Sequence, residues 1–245
     1  MPKKERQTII DIASYRLPLK IIWERRRNIR AAIGKQAILL RLPLGYKVNE
    51  RDEIEKIKGW LVQLANKKEG VLDRLAIKHY EDGQVLTVGD HQYLLSIRYE
   101  DRKTHTARLR GKCIELKLAV GDEGTNLQHN LKHLLSRVIA QEFLPAITKR
   151  VLDLNDQYFR MPIKGVKLKY NFSNWGSCSH TGNINLSTRL LFAPPDVIDY
   201  VIIHELAHLL EMNHSPKFWS IVEKAMPDYS EKEGWLQKNG HFCDF

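Results

Sequence analysis

In the run His204-Glu205-Leu206-Ala207-His208, two imidazoles stand four residues apart, with a carboxylate directly after the first. On an α-helix this spacing puts both histidines on one face, about 6 Å apart along the axis, near enough to hold one metal ion. Glu205 sits one step off that face, placed to reach a water on the metal rather than the metal itself. Two imidazoles for zinc and one carboxylate for a proton is the division of labour of H-E-x-x-H. His204 and His208 are therefore candidate metal ligands, and Glu205 is the candidate general base.

A third ligand must come from outside the pair. His214 follows His208 by six residues, and Asn213 before it tolerates a left-handed backbone that would end a helix. Ser215-Pro216 then reads as the N-cap and first residue of a further helix containing Phe218-Trp219. This places His214 in a tight corner from which it could turn back to the metal. The spacing equals that of H-E-x-x-H-x-x-G-x-x-H, but Glu211 occupies the glycine position and is the competing third ligand.

These side chains need a buried helix beneath them. Pro194-Pro195-Asp196 is a suitable start, and Val197, Ile198, Val201, Ile202, Leu206, Leu209 and Leu210 recur at helical spacing. Two histidines and a glutamate on so apolar a helix are costly unless partnered, and a metal would partner them. Upstream, Val166–Phe172 and Asn183–Ser187 read as strands, with Trp175-Gly176-Ser177-Cys178 between them. Asn126 to about Leu154 reads as a long helix with a kink or break at Pro145. His129 and His133 on that helix lack a neighbouring carboxylate and read as packing or solvent-facing residues.

Several segments together resemble a known family: Asn174-Trp175-Gly176-Ser177-Cys178-Ser179, Gly182 to Leu186, Ala193-Pro194, and Asp199-Tyr200-Val201 leading into His204 to His208. Asn213-His214-Ser215, Phe218-Trp219 and Met226 to Tyr229 continue the match. Their order and spacing over about 165–238 are similar to the YgjP-type, SprT-related zinc metallopeptidase domain. The resemblance implies zinc ligands at His204, His208 and His214, a general base at Glu205, and the W-G-S-C segment as a strand beside the active-site helix. It also marks a departure: the family carries an arginine before the tryptophan, where this chain has Asn174.

The remaining sequence reads as a β-rich N-terminal part. Ala37–Leu42, Val85–Val88, Tyr93–Tyr99 and Cys113–Leu118 have strand-like patterns, and Glu50 to about Glu69 reads as a helix capped by Asn49. No internal repeat is visible. The expected fold is α+β: a zincin-like catalytic unit at 123–245, with a small sheet beside the H-E-x-x-H helix, and a β-rich basic part at 1–122 docked on it.

The net charge of +10 is unevenly spread. Residues 1–120 hold 26 Lys and Arg against 15 Asp and Glu, and the remainder holds 13 against 14. Arg25-Arg26-Arg27 with Arg30, beside Trp23, is the densest basic cluster; it reads either as a solvated face or as a surface for nucleic acid or phosphate. Cys113, Cys178 and Cys243 are odd in number and widely spaced, which argues against a disulfide framework. No apolar run reaches membrane-spanning length and no signal-peptide core follows the N-terminus, so a cytoplasmic location is expected.

The expected function is zinc-dependent hydrolysis of a peptide bond, with Glu205 activating a metal-held water and Asn174, Trp175 or Tyr200 contacting the substrate. Two alternatives use the same residues differently. The metal water could attack a nucleotide or other phosphate ester, with basic side chains reaching the metal. The chain could instead be a basic binding module with a structural zinc, although such sites usually have four protein ligands, often cysteines. A DNA-linked protease would add salt-sensitive binding to nucleic acid.

Overall fold

The computed structural model describes residues 4–34, 37–67, 70–72, 75–121 and 124–245. They form two compact units: Met1–His79 with Glu123–Gln128, and Tyr80–Asp122 with His129–Phe245. The expected domain boundary at 122/123 falls outside the described residues.

In the first unit, β1 (Lys4–Ile12) and β2 (Tyr15–Glu24) form an antiparallel hairpin. Ala13, with φ at 51°, makes the tight turn between them. β2 pairs in parallel with β4 (Ile38–Pro43), and β3 (Arg30–Ile33) closes the far edge antiparallel to β4. Leu17, Leu19 and Ile21 alternate along β2 and are fully buried, as the two-residue period of a half-buried strand requires. Ile57 and Leu61 of α1 (Glu50–Lys67) belong to the same core. Asn49 caps α1, its Oδ1 accepting from the Arg51 amide at 3.2 Å. Arg25, Arg27 and Arg30 are exposed beyond the end of β2, while Arg26 and Arg41 both pair with Glu24 at 3.0 Å.

The second unit opens with another four-stranded sheet, which the sequence reading assigns to the N-terminal part. Its strands are β5 (Val85–Val88), β6 (His91–Glu100), β7 (Thr106–Arg110) and β8 (Cys113–Ala119). The order β5-β6-β8-β7, with antiparallel outer pairs and a parallel central pair, repeats that of β1-β2-β4-β3. Each sheet is followed by a helix, so the topology is duplicated without a visible repeat in the residues.

The helix after the second sheet, α2 (Gly124–Tyr158), runs through Pro145 without a break, so of the kink or break expected there the break does not occur. Pro145 is exposed, whereas Leu135, Ile139, Ile147 and Val151 on either side are buried. Packing on both flanks thus holds the helix across the missing amide donor.

A third sheet has the order β10-β11-β9, with β10 (Gly176–Cys178) on its edge. β9 (Gly165–Lys169) is shorter than expected, and β11 (Asn183–Ser187) lies parallel to it. A 3-10 turn (Thr188–Phe192) leads to α3 (Pro195–Ala207), followed by α4 (Pro216–Ala225) and α5 (Tyr229–Asn239). The described residues form a mixed α+β structure with several small sheets and five helices. Among the described residues no helix is long and apolar enough to cross a membrane.

Candidate active site

α3 is the most deeply buried helix of the second unit. Val197, Val201, Ile202, Ile203 and Leu206 are all at most 4% exposed. Charged contacts hold it from two sides. Arg150 of α2 grips Asp199 with two hydrogen bonds of 2.7 and 2.5 Å, and Lys232 of α5 reaches Asp196 at 2.9 Å. Both carboxylates lie in the half of α3 remote from His204, so they anchor the helix without entering the site.

The helix ends at Ala207, earlier than its apolar pattern suggests. Leu210 is 45% exposed and Met212 36%, so the apolar stripe loses its cover beyond Ala207, with Leu209 only partly buried. His208 becomes the C-cap, and its Nδ1 lies 3.2 Å from the Glu211 carbonyl. With Nδ1 donating to that carbonyl, Nε2 keeps its lone pair for another partner.

The chain then turns so that His214 faces His204, with 3.0 Å between their Nε2 atoms. Ser215 caps α4 as expected, its hydroxyl accepting from the Phe218 amide at 3.3 Å. One potential ligand atom from each of His204, His208 and His214 lies within 4.8 Å of the others. The Phe218 ring, fully buried, is 4.6–4.9 Å from all three imidazoles and forms their floor.

The donor set suits a metal. Three imidazoles are the usual nitrogen ligands of a catalytic zinc, and nitrogens about 2.0–2.1 Å from a tetrahedral ion lie roughly 3.3 Å apart. The His204–His214 separation of 3.0 Å is near that value, and all three ligand atoms lie within 4.8 Å of one another. Burial and the neighbouring His208 and His214 push the His204 pKa down to about 4, and burial lowers that of His208. Both rings are thus held in the neutral form that binds metal. Glu211, the competing ligand, is ion-paired with Lys217 at 3.4 Å.

Glu205 is 5% exposed, and burial pushes its carboxyl pKa up to about 8. It lies against Gly176 of β10, where a methyl group would come within 2.5 Å of its Oε1. Cys178 on the same strand is also pushed up, to about 11, by burial and by Glu205, which makes it a poor nucleophile.

A cavity of about 300 Å³ opens beside Glu205 and His204. Trp175 and Tyr200 line it, as do Glu233, Leu236 and Gln237 of α5. Asn174 is exposed and is not among the lining residues. The α5 residues were invisible to sequence reasoning, because nothing in a window around residues 233–237 reports a wall built against a helix thirty residues upstream. Arg189 was also missed. Buried at 6% exposure, it donates to the carbonyls of Phe172 and Gly240 at 2.7 Å and of Cys243 at 2.8 Å. His129 and His133 pack edge to face, ring centroids 4.4 Å apart, and do not join the metal-type cluster.

Comparison with known proteins places this geometry in context. No curated protein matches the chain. It is similar in part to two solved structures. One is the metallopeptidase zymogen of Pyrococcus abyssi abylysin, at 27% identity and TM-score 0.34, with 38% of this chain and 93% of that one covered. The other is the metallopeptidase zymogen of Methanocaldococcus jannaschii jannalysin, at 20% identity and TM-score 0.34, with 38% and 94% covered. A family model described as YgjP-like, metallopeptidase domain, matches residues 27–239, a span that holds the three histidines, Glu205 and the Trp175-Gly176 edge. The chain therefore belongs to the YgjP-like metallopeptidase family.

Proposed function

We propose that the protein is a zinc-dependent peptidase in which His204, His208 and His214 hold the metal and Glu205 is the general base. The observation that carries this reading is the convergence of three imidazoles beside one buried carboxylate. A zinc ion held by three histidines supplies a Lewis acid with an open position, at which the pKa of water falls to near 7.

The protein's own groups do the rest. Glu205, buried and aimed into the cleft, accepts the proton of the attacking water and passes it to the leaving amine. Burial holds its carboxyl above the usual carboxylate range, and a cation held by the histidines would draw it back toward ionisation. Tyr200 lines the same cleft, and burial, with Glu233 and Tyr229 nearby, holds its phenol above the usual range. It therefore stays protonated and can donate a hydrogen bond to the developing oxyanion. β10 is an edge strand with one side unpaired within its sheet, and an extended peptide can add to it as a further strand.

The cleft favours a peptide over a phosphate ester, since no lysine or arginine lines it among the described residues. The test is Glu205→Gln assayed for metal content and for hydrolysis of an unfolded protein. Zinc should remain stoichiometric while new amines cease to form. Full hydrolysis by the zinc-loaded variant removes Glu205 from the role.

A further inference from the structure

The cavity beside Glu205 holds a charged group, Glu233, that the peptidase reading leaves unused. Trp175, Tyr200, Val201 and Leu236 give it largely apolar walls, and its carboxylates are Glu205 and Glu233. Glu205 is committed to proton transfer. Glu233 is half-buried on α5 and has neither an ion pair nor a hydrogen bond among the described residues. The adjacent cation, Lys232, is occupied by Asp196 at 2.9 Å and Asp228 at 3.0 Å, so it does not serve Glu233.

A carboxylate removed partly from water and left without a partner favours any cation that can reach it. The space available limits what that cation can be. At about 300 Å³ the cavity lies at the lower end of ligand pockets, suited to one long side chain rather than a whole ligand. Apolar walls with an anion suit lysine or arginine, whose hydrocarbon stem packs on apolar surface while the head keeps a polar contact.

We infer that Glu233 is a specificity residue, and that the cavity takes the Lys or Arg side chain of a peptide residue flanking the bond that is cut. This rests on the peptidase reading. The same cationic chemistry could come from the free amine at a peptide's N-terminus, and the experiment separates the two sources.

Alanine-based peptides carrying a single Lys, Arg, norleucine or Glu, each free or acetylated at the N-terminus, are incubated with the zinc-loaded full chain. Cleavage sites are read by mass spectrometry. Cleavage beside Lys or Arg should exceed that beside norleucine or Glu by roughly tenfold or more, the worth of one charge-assisted hydrogen bond in a part-buried site. Acetylation should not change the preference. Glu233→Gln should flatten it, and Glu233→Lys should turn it toward Glu. Binding of the same peptides to zinc-loaded Glu205→Gln, followed by fluorescence anisotropy, gives a readout independent of hydrolysis.

No charge preference in either assay, or an unchanged one in Glu233→Lys, overturns the inference. Loss of the preference on acetylation overturns the side-chain assignment in favour of the terminal amine. Absence of any cleavage with the charge-dependent binding intact sinks the peptidase reading and leaves the cation pocket standing.

Discussion

Gly176 and Glu205 occupy adjoining space with no room for a methyl group between them. A Cβ on Gly176 would lie 2.5 Å from Oε1, 2.7 Å from Cγ and 2.8 Å from Cδ of Glu205. Because Cγ is among the clashing atoms, rotating the carboxylate alone does not relieve the contact. Gly176→Ala should therefore displace Glu205, and a misplacement of about 1 Å at a reacting group costs on the order of a hundredfold in rate. Zinc content should be unchanged, since the histidines are not touched. Turnover measured alongside metal analysis checks this, and wild-type turnover in the alanine variant would show that the glycine serves only the strand.

Arg189 lies over the Trp175 ring, its guanidinium carbon 4.4 Å from the centroid. Gly240 adjoins the same indole, where a Cβ would meet Cζ2 at 2.5 Å. The arginine's three carbonyl acceptors tie the segment before β10 to the C-terminal residues. Arg189→Met removes the donor that these carbonyls share, at about 1–3 kcal/mol for each hydrogen bond whose loss water cannot make good. Arg189→Lys keeps the charge but loses the planar fork, so an intermediate loss is expected. Urea unfolding of the three proteins should rank them wild type, lysine, methionine.

His214 is exposed at the start of α4, so its removal should spare the fold. His214→Ala is expected to weaken zinc binding by more than the roughly 10–100-fold typical of losing an outer-shell partner. Glu211→Gln should leave affinity nearly unchanged, because its carboxylate is paired with Lys217. Competition with a chromogenic chelator measures both. Equal losses in the two variants would make Glu211 a ligand.

The metal-free protein should have a pH-dependent stability set by two opposed groups. Glu205 ionises near pH 8 when folded against 4.5 in its ordinary state, so the folded chain holds a proton that the unfolded chain has lost. Its contribution declines as pH rises from 4.5 to 8. His204 protonates near pH 4 when folded against 6.5 ordinarily, so its contribution declines as pH falls from 6.5 to 4. The two oppose each other between 4.5 and 6.5, and above 6.5 the Glu205 decline stands alone. Thermal unfolding of chelator-treated protein should show a fall in Tm from pH 6.5 to 8 that is reduced in Glu205→Gln. An equal fall in that variant would assign it to other groups.

The helix bearing His204 and Glu205, the Ser215 cap and the limits of β5 and β11 were legible in the sequence. Each is decided within a few residues, by helical spacing, a capping hydroxyl or a two-residue alternation. The hairpin of β1 and β2 was overlooked although Leu17, Leu19 and Ile21 alternate, because Pro18 and the charged residues between them obscure the strand. The end of α3 was misjudged for a different reason. Leu209 and Leu210 continue the apolar spacing, but only the folded chain shows that Leu210 is left 45% exposed.

By itself the sequence determined which side chains are available for the proposed chemistry, two imidazoles and a carboxylate on one helix with a third imidazole after it, since residue type and helical spacing are local. Tertiary structure decided what surrounds them. It set Gly176 against Glu205, Phe218 beneath the three imidazoles, Arg189 on Trp175 and Glu233 across the cleft. It also duplicated the four-stranded topology. Gly176 and Glu233 reach Glu205 from about thirty residues away on either side, and even the nearer contacts cross from one element to another, through packing whose energy depends on the whole core rather than on any short stretch of residues.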